Sequence, residues 1–125
     1  MIQLDALDGV YSVCRLPAQD PIPDWMRGGF VSASRTPDEL SIVASTDDVP
    51  ADVTAEHDFR LLRVRGPIPF ETIGVLAKLT AALAEASVSV FAISTFDTDY
   101  LLIRSFEIEK AIAALRAAEY TVNAD

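Results

Sequence analysis

The clearest pattern of apolar and polar residues lies in the C-terminal half of the chain. Apolar residues recur there at spacings of three, four and three, at Leu76, Leu79, Leu83 and Ala86. Such a spacing lines up one face of an α-helix. The β-branched and aromatic runs Val88–Ser94 and Tyr100–Arg104 then predict two strands of a hairpin. Phe70–Ile103 is therefore predicted to form a loop, an amphipathic helix and a hairpin whose bend, Thr95–Asp99, is acidic.

The rest of the chain predicts further strands and a second helix. Runs that suit strands lie at Gly9–Leu16, Phe30–Ser34, Glu39–Ser45, Phe59–Arg65 and Tyr120–Val122. Glu107–Ala118 has an apolar face and acidic residues at its start, which suit the helix dipole and predict a helix. Asp24–Arg27 predicts about one helical turn before two glycines. The polar stretch Thr46–Asp58 predicts a loop with at most a short helical turn.

The order of these elements predicts the fold. From Phe59 onward it is strand, helix, strand, strand, helix, strand, which is the ferredoxin-like βαββαβ arrangement of the α+β class. The first half has strands but lacks most of both helices, so it cannot bury its own sheet face. We predict a reduced repeat at residues 1–58 and a complete repeat at residues 59–125, packed as one unit.

The repeat is visible as an alignment within the chain. Phe30–Val43 (FVSASRTPDELSIV) aligns without a gap on Val90–Ile103 (VFAISTFDTDYLLI), at an offset of 60 residues. Tyr11–Leu16 likewise matches Phe59–Val64. The acidic bend therefore has an equivalent in the first half, Arg35–Glu39. We predict a structural role for that bend, because its preceding loop lacks a glycine and a helix.

The charge of the chain argues against polyanionic partners. It has 19 acidic and 10 basic residues, a net charge of −9, and two lysines. Nucleic acid and anionic membranes are bound through clustered Lys and Arg. No apolar run approaches the roughly 18–20 residues of a membrane span, and the N-terminus lacks the positive region of a secretory signal. We expect a cytoplasmic protein that binds neither nucleic acid nor membrane.

Residues that could carry catalysis are few. Cys14 is the only cysteine and is predicted to be a buried, inert thiol. His57 is the only histidine and is predicted to lie on a surface loop. Trp25 is predicted to pack into a core. An acylphosphatase-like enzyme, one alternative, would need an arginine and an asparagine at a phosphate loop, and Asn123 is the only asparagine. We predict no catalytic residue, metal or cofactor.

These stretches resemble a known family. The chain is similar, over essentially its whole length, to the small tandem ACT-domain proteins, whose ACT modules resemble those of the arginine-sensing CASTOR proteins. The resemblance rests in the second half on PIPFETIGVLAKLTAALAEASVSVFAISTFDTDYLLI and the helix EIEKAIAAL. In the first half it rests on YSVCRL, SRTPDELSIV and Val49-Pro50. Glu119 departs from the pattern, because the family commonly has a glycine that closes the last helix.

The resemblance implies a function and a site. ACT modules bind amino acids or similar small metabolites where two modules meet, and transmit binding as a change of association. The ligand-binding positions that the resemblance implies lie in the loop before the helix and in the hairpin bend: Pro69, Phe70, Glu71, Thr72, Gly74, Val75, Thr95, Phe96 and Asp99. We expect the loop and the bend to be neighbours in the folded chain.

The residue types give this site a chemical rationale. Gly74 has no side chain to block a ligand, and the free amides of the first helical turn suit a carboxylate. Asp97 and Asp99 suit an ammonium or guanidinium group, and Phe96 suits an apolar or cationic side chain. Alternatively, Gly74 allows close helix–sheet packing and the two aspartates belong to a solvated turn.

Two functions follow from the sequence. The first is a non-enzymatic regulatory module that binds an amino acid or related metabolite, as a homodimer formed through exposed sheet edges. The second is a protein-interaction module without a small ligand, which uses its sheet edges or acidic surface.

Overall fold

The protein has an α+β fold, as predicted, in a computed structural model that describes residues 2–69 and 71–124. Its strands and helices, in chain order, are β1 (Gln3–Leu16), β2 (Ser32–Arg35), β3 (Leu40–Ser45), β4 (Thr54–Val64), α1 (Val75–Glu85), β5 (Phe91–Ser94), β6 (Asp99–Arg104), α2 (Ile108–Ala117) and β7 (Thr121–Asn123). Short 3₁₀ turns lie at Thr46–Asp48 and Ser105–Glu107. From β4 onward the order of elements is the predicted βαββαβ order.

The described residues form two compact units. The helical unit contains residues 2–8 and 60–124, and the strand unit contains residues 9–59. Both boundaries fall within strands, because β1 and β4 each contribute residues to both units.

The core of the helical unit lies between its sheet and its two helices. The strands are in the order β7–β1–β4–β6–β5, and α1 contacts α2. Alternation along β4 and β6 points every second residue toward the helices. The buried residues of this core are Leu4, Leu62, Val64, Leu79, Leu83, Val88, Leu101, Ile103, Ile108, Ala111, Leu115 and Val122. The predicted apolar face of α1 is thus confirmed at Leu79 and Leu83.

The first strand pairs with partners from both halves of the sequence. Gln3–Asp5 pairs in parallel with Thr121–Asn123, whereas Tyr11–Leu16 pairs antiparallel with β3. The strand begins well before the predicted Gly9, because Leu4 and Ala6 alternate with polar residues and pack on the core. The last strand therefore lies beside β1, which separates it from β4.

Both helices end in the Schellman motif, in which two amides after the helix donate back to carbonyls of its last turn. The bonds are Ser87 to Ala84 at 3.0 Å and Val88 to Leu83 at 2.9 Å after α1, and Glu119 to Arg116 at 2.9 Å and Tyr120 to Leu115 at 3.0 Å after α2. Ser87 has φ 60° and Glu119 has φ 72°, so both occupy the position that glycine usually takes. The motif also draws Val88 into the core, which explains why β5 begins at Phe91 and not at the predicted Val88.

The strand unit contains strands in the order β2–β3–β1–β4. Its buried cluster consists of Cys14, Leu40, Ile42 and Ala44, and Trp25 packs against it as predicted. The helical turn predicted at Asp24–Arg27 is wrong, because the structure has only a turn at Asp24 and Trp25. Prolines precede these four residues and two glycines follow them, which leaves too short a stretch to nucleate a helix.

The prediction of a loop through Asp58 is also wrong, since Thr54–Asp58 belongs to β4. The polar side chains of Thr54–Asp58 give no strand pattern in the sequence. The strand forms there because it pairs with β1. His57 is exposed, as predicted, but it lies on this strand. Its Nδ1 lies 2.7 Å from the hydroxyl of Ser12, which also lies 2.8 Å from the hydroxyl of Thr46. Because Ser12 is fully buried, these contacts satisfy a hydroxyl that water cannot reach.

Candidate functional site

The loop before α1 and the bend between β5 and β6 line one cavity of about 320 Å³ in the helical unit. About 20 residues separate the two segments in the chain. The residues around the cavity are Ile68, Pro69, Thr72, Gly74, Val75, Leu76, Ala77, Ser94, Thr95, Phe96, Asp97, Thr98 and Asp99. We call it the loop–bend cavity.

Most of the residues implied by the sequence lie at this cavity. They are Pro69, Thr72, Gly74, Val75, Thr95, Phe96, Asp97 and Asp99. Glu71 is exposed and does not line the cavity, and Phe70 lies outside the described residues. Sequence reasoning missed Ile68, Leu76, Ala77, Ser94 and Thr98. Of these, Ser94 precedes the acidic bend directly and could have been found from its place in the hairpin.

Thr98 holds the bend against the end of β4. Its hydroxyl donates to the Val64 carbonyl at 2.5 Å, and the Ile68 amide donates to the Asp97 carbonyl at 2.7 Å. Within the bend, the Thr95 amide donates to the Thr98 carbonyl at 2.8 Å. Thr98 is buried, so its hydroxyl needs this internal partner. The sequence gives no local signal for this role, because threonine is common in any turn.

Gly66, two residues after β4, lies close to the bend between β5 and β6. A Cβ atom at this position would lie 3.1 Å from the Asp97 carbonyl oxygen and 3.1 Å from Cβ of Thr98. These distances are tighter than ordinary van der Waals contact. A glycine at Gly66 is therefore what allows the chain after β4 to pass against the bend.

Gly74 is the N-cap residue that precedes α1, and it has a left-handed conformation, with φ 83°. The nearest atom to a Cβ built there is Cε of Lys78, at 3.9 Å. Close helix–sheet packing is thus not the reason for this glycine; the positive φ is. Because glycine offers no capping side chain, the first turn of α1 has no side-chain hydrogen bond to its amides. Those amides and the positive end of the helix dipole lie at the cavity.

The charged side chains that line the cavity are acidic. Asp97 is exposed, and Asp99 is half-buried and accepts a hydrogen bond from the Ser94 hydroxyl at 2.6 Å. No lysine or arginine is among the lining residues that the structure describes. Two carboxylates and the N-terminal end of a helix therefore line the same cavity.

Two arginines fix the equivalent bend of the strand unit, Arg35–Glu39, through hydrogen bonds and an ion pair. Arg35 donates to the Ala18 carbonyl. Arg15 donates to the Asp38 carbonyl at 3.0 Å and lies 3.1 Å from the carboxylate of Glu39. These contacts agree with the structural role expected for this bend.

The remaining candidates for chemistry in the described residues are the Cys14 thiol and groups of potential metal ligands. Burial raises the pKa of the Cys14 thiol, which disfavours the reactive thiolate. No group of three or more His, Cys, Asp or Glu side chains in residues 2–69 and 71–124 is arranged to hold a metal ion. None of the described helices has the length and apolar character needed to cross a membrane.

The chain belongs to the ACT-domain family. The family model for the ACT domain matches residues 54–117, which include the loop–bend cavity. A second family model, described as an N-terminal domain, matches residues 9–52. No curated protein matches the chain.

Solved structures share the fold. A protein from Agrobacterium tumefaciens is 38% identical, with a TM-score of 0.91 and coverage of 97% of this chain and 91% of that chain. The regulatory subunit of aspartate kinase from Thermus thermophilus is 13% identical, with a TM-score of 0.64 and coverage of 94% and 97%. A Vibrio cholerae protein of unknown function is 19% identical, with a TM-score of 0.71 and coverage of 93% and 88%. The last two show a likeness of fold alone.

Proposed function

We propose that this chain is a non-enzymatic regulatory module that binds an amino acid or a related small metabolite in the loop–bend cavity. The proposal rests mainly on one observation, that a helix N-terminus and two carboxylates line the same cavity of about 320 Å³. Small-ligand sites commonly have volumes of about 300–1,000 Å³. Membership of the ACT-domain family supports the same role.

An amino acid has an anionic and a cationic end, and the cavity offers a partner for each. The uncapped amides of α1 suit the α-carboxylate. Asp97 and Asp99 suit the α-ammonium group or a cationic side chain, through charge-assisted hydrogen bonds. Because the charged lining is acidic, a ligand with extra positive charge is favoured over one with extra negative charge. Within the ACT-domain family, we further propose that this module resembles the ACT modules of the arginine-sensing CASTOR proteins.

We place the ligand at an interface between the ACT modules of a homodimer. Ile73 lies between two residues of the cavity and is 93% exposed, and Phe96 is 85% exposed on its rim. Exposed apolar groups of this size favour contact with another surface. β5 is the outermost strand of the helical unit's sheet, and such edges pair readily with another chain. A second copy on this side would cover both the apolar rim and the cavity.

Two wider features complete the proposal. Residues 1–58 and 59–125 are a reduced and a complete copy of one ACT-like module, in keeping with their internal alignment. The protein acts in the cytoplasm, where its single buried cysteine needs no disulfide partner.

Thermal-shift measurements with each common amino acid test the proposal. We expect at least one of them to raise the Tm of the full chain at millimolar concentration, because binding to the native state stabilises it. Asp99→Asn should reduce this rise, whereas Glu71→Gln, outside the cavity, should not. If no amino acid or related metabolite raises the Tm, the binding role is contradicted.

The alternative is a protein-interaction module without a small ligand. The exposed β5 edge and the apolar residues Ile73 and Phe96 favour it equally well. The two proposed functions predict different effects of substitutions at Asp99 and on β5. Under this alternative, Asp99→Asn leaves function intact, whereas a charged residue introduced on β5, such as Phe91→Lys, abolishes it.

A further inference from the structure

A second cavity lies in the helical unit, beside α2. Its volume is about 490 Å³, and it shares no lining residue with the loop–bend cavity. The lining residues are Ala6, Asp8, Arg60, Ile108, Glu109, Ile112, Ala113, Arg116 and Ala124. Strand alternation explains why Ala6 and Arg60 both face this cavity. Ala6 lies on the same face of its strand as Leu4, and Arg60 lies on the same face as Leu62. Leu4 and Leu62 belong to the core, so the cavity continues the core face of the sheet.

The guanidinium group of Arg60 lines this cavity and donates few of the hydrogen bonds that it could form. Its Nη2 donates to the Leu7 carbonyl at 3.3 Å, and its Nε is buried without a hydrogen-bond partner in the described residues. Arg60 as a whole is half-buried, but burying its Nε without an acceptor costs free energy, which an anion at the same guanidinium group would offset. Arg116 also donates through Nη2, to the Val122 carbonyl at 2.6 Å, but it has no buried nitrogen without a partner in the described residues. Arg60 is therefore the cation that a ligand would meet.

One part of the cavity wall is apolar, although four of its nine lining residues are charged. Ile108 and Ile112 lie one turn apart on α2, and Ala6 and Ala113 leave space next to them. Ile108 is also the first residue of α2, whose first turn has no side-chain cap. Glu109 lies in the same turn and offsets the helix dipole, so the positive charge of the site depends on Arg60. Such a combination suits a ligand with one anionic group and an aliphatic chain.

We propose that this cavity binds a small monocarboxylate with an aliphatic tail, with its carboxylate at Arg60 and its tail against Ile108 and Ile112. The guanidinium group matches a carboxylate in shape and charge. Asp8 and Glu109 lie exposed at the same cavity and repel further negative charge, so dicarboxylates and phosphates are disfavoured. The site is independent of the amino-acid site proposed above.

Nuclear magnetic resonance of the full chain, labelled with nitrogen-15, tests this site. Because the Nε–H of Arg60 is buried, we expect it to give a side-chain signal, identified by its loss in Arg60→Lys. Sodium hexanoate should shift this signal and the amide signals of residues 108–113 with saturation. Hexanol, which has the same tail without the charge, should bind at least about tenfold more weakly, because it lacks a charge-assisted bond. Sodium chloride at the same concentration controls for ionic strength.

Two variants locate the binding. Arg60→Gln should weaken hexanoate binding at least about tenfold, whereas Arg27→Gln, in the strand unit, should not. Ala113→Leu should also weaken it by filling the cavity while Arg60 stays in place, and Ala81→Leu on α1 is its control. If Arg60→Gln does not fold, the Ala113→Leu result decides. The proposal is overturned if hexanoate gives no saturable shift, if hexanol binds as well, or if the folded variants bind hexanoate unchanged.

Discussion

The carboxylate of Asp5 and the guanidinium group of Arg65 form a two-point ion pair. Nη2 of Arg65 lies 2.6 Å from Oδ1 of Asp5, and Nε lies 3.2 Å from Oδ2. Arg63 adds a contact of 3.2 Å, and the Asn123 side-chain amide donates to the same carboxylate at 3.0 Å. Asp5 and Asn123 are also paired residues of β1 and β7. One side chain therefore joins the first strand to β4 and to the last strand.

This network predicts a specific dependence of stability on pH. Hydrogen bonds from Arg65, and then from Asn123 and Arg63, hold the pKa of Asp5 well below its ordinary value of 3.8. Because the folded-state pKa is the lower one, the stabilisation is present above the unfolded value and is lost as pH falls through 3.8 toward the folded value.

We expect Asp5→Asn to lower the free energy of unfolding by about 1–2 kcal/mol near neutral pH, after allowance for the exposure of the arginines. The difference from the wild type should shrink as pH falls below about 4. Urea denaturation at a series of pH values measures it. Asp8→Asn, an exposed neighbour on the same strand, is the control. A difference that does not change with pH would contradict the ion-pair explanation.

The two helix ends predict stabilising substitutions. Glu119 and Ser87 hold positive φ angles at the positions where glycine normally closes a Schellman motif. Glu119→Gly and Ser87→Gly should each raise the free energy of unfolding by about 0.5–1 kcal/mol, because they remove left-handed strain and leave the hydrogen bonds unchanged. Ala117→Gly, within the last turn of α2, should instead lower it by about 0.5–1 kcal/mol. Destabilisation by Glu119→Gly would refute the capping geometry.

Replacement of Thr98 should lower the free energy of unfolding and disturb the geometry of the loop–bend cavity. Thr98→Val keeps the shape of the side chain but leaves the Val64 carbonyl without its hydroxyl donor. We expect a loss of about 1–2 kcal/mol in unfolding free energy. Amide exchange at Ile68, which bonds to the same bend, should also become faster. Thr72→Val, at an exposed position of the cavity, should leave both measurements unchanged. Equal effects of the two variants would argue against a special role for Thr98.

Substitution of Gly74 tests whether backbone conformation or close packing requires a glycine at this position. Gly74→Ala should lower the unfolding free energy by about 1 kcal/mol, since alanine is strained at φ 83° although space is available. Gly29→Ala is a matched control, because Gly29 has no positive φ and no atom lies within 4 Å of its Cβ position. Alanine there should be neutral or slightly stabilising through the unfolded state. Thermal unfolding of the two variants side by side measures the contrast.

Local patterns explain what the sequence predicted well. Leu79 and Leu83 repeat at helical spacing, and β5 and β6 flank a short polar bend, so these elements follow from neighbouring residues alone. The proximity of Gly74 to Asp99 also follows from local order, because a ferredoxin-like unit brings the end of its first strand to its first hairpin bend.

Long-range pairings explain what the sequence did not predict. Gln3–Asp5 meets Thr121–Asn123 from the far end of the chain, and no local pattern encodes that contact. The sequence predicts a loop at His57, because the polar side chains of Thr54–Asp58 give no strand pattern, and the strand there depends on pairing with β1. Thr98 was missed for a similar reason: its partner, Val64, lies 34 residues away.

The exposed rim of the loop–bend cavity predicts self-association. The double variant Ile73→Ser, Phe96→Ser removes the two largest exposed apolar groups beside the cavity. If a second copy packs there, sedimentation equilibrium should show dimer dissociation constants at least about tenfold higher than for the wild type, because apolar anchors dominate interface energy.

Phe106 provides the control for this experiment. It is 85% exposed, as Phe96 is, but it lies in the 3₁₀ turn before α2 and does not line the loop–bend cavity. Phe106→Ser should leave the dimer unchanged. If it weakens the dimer and the double variant does not, the interface lies elsewhere. A ligand that binds between two copies should also strengthen the wild-type dimer, and it should do so less for Asp99→Asn, since binding and association are linked.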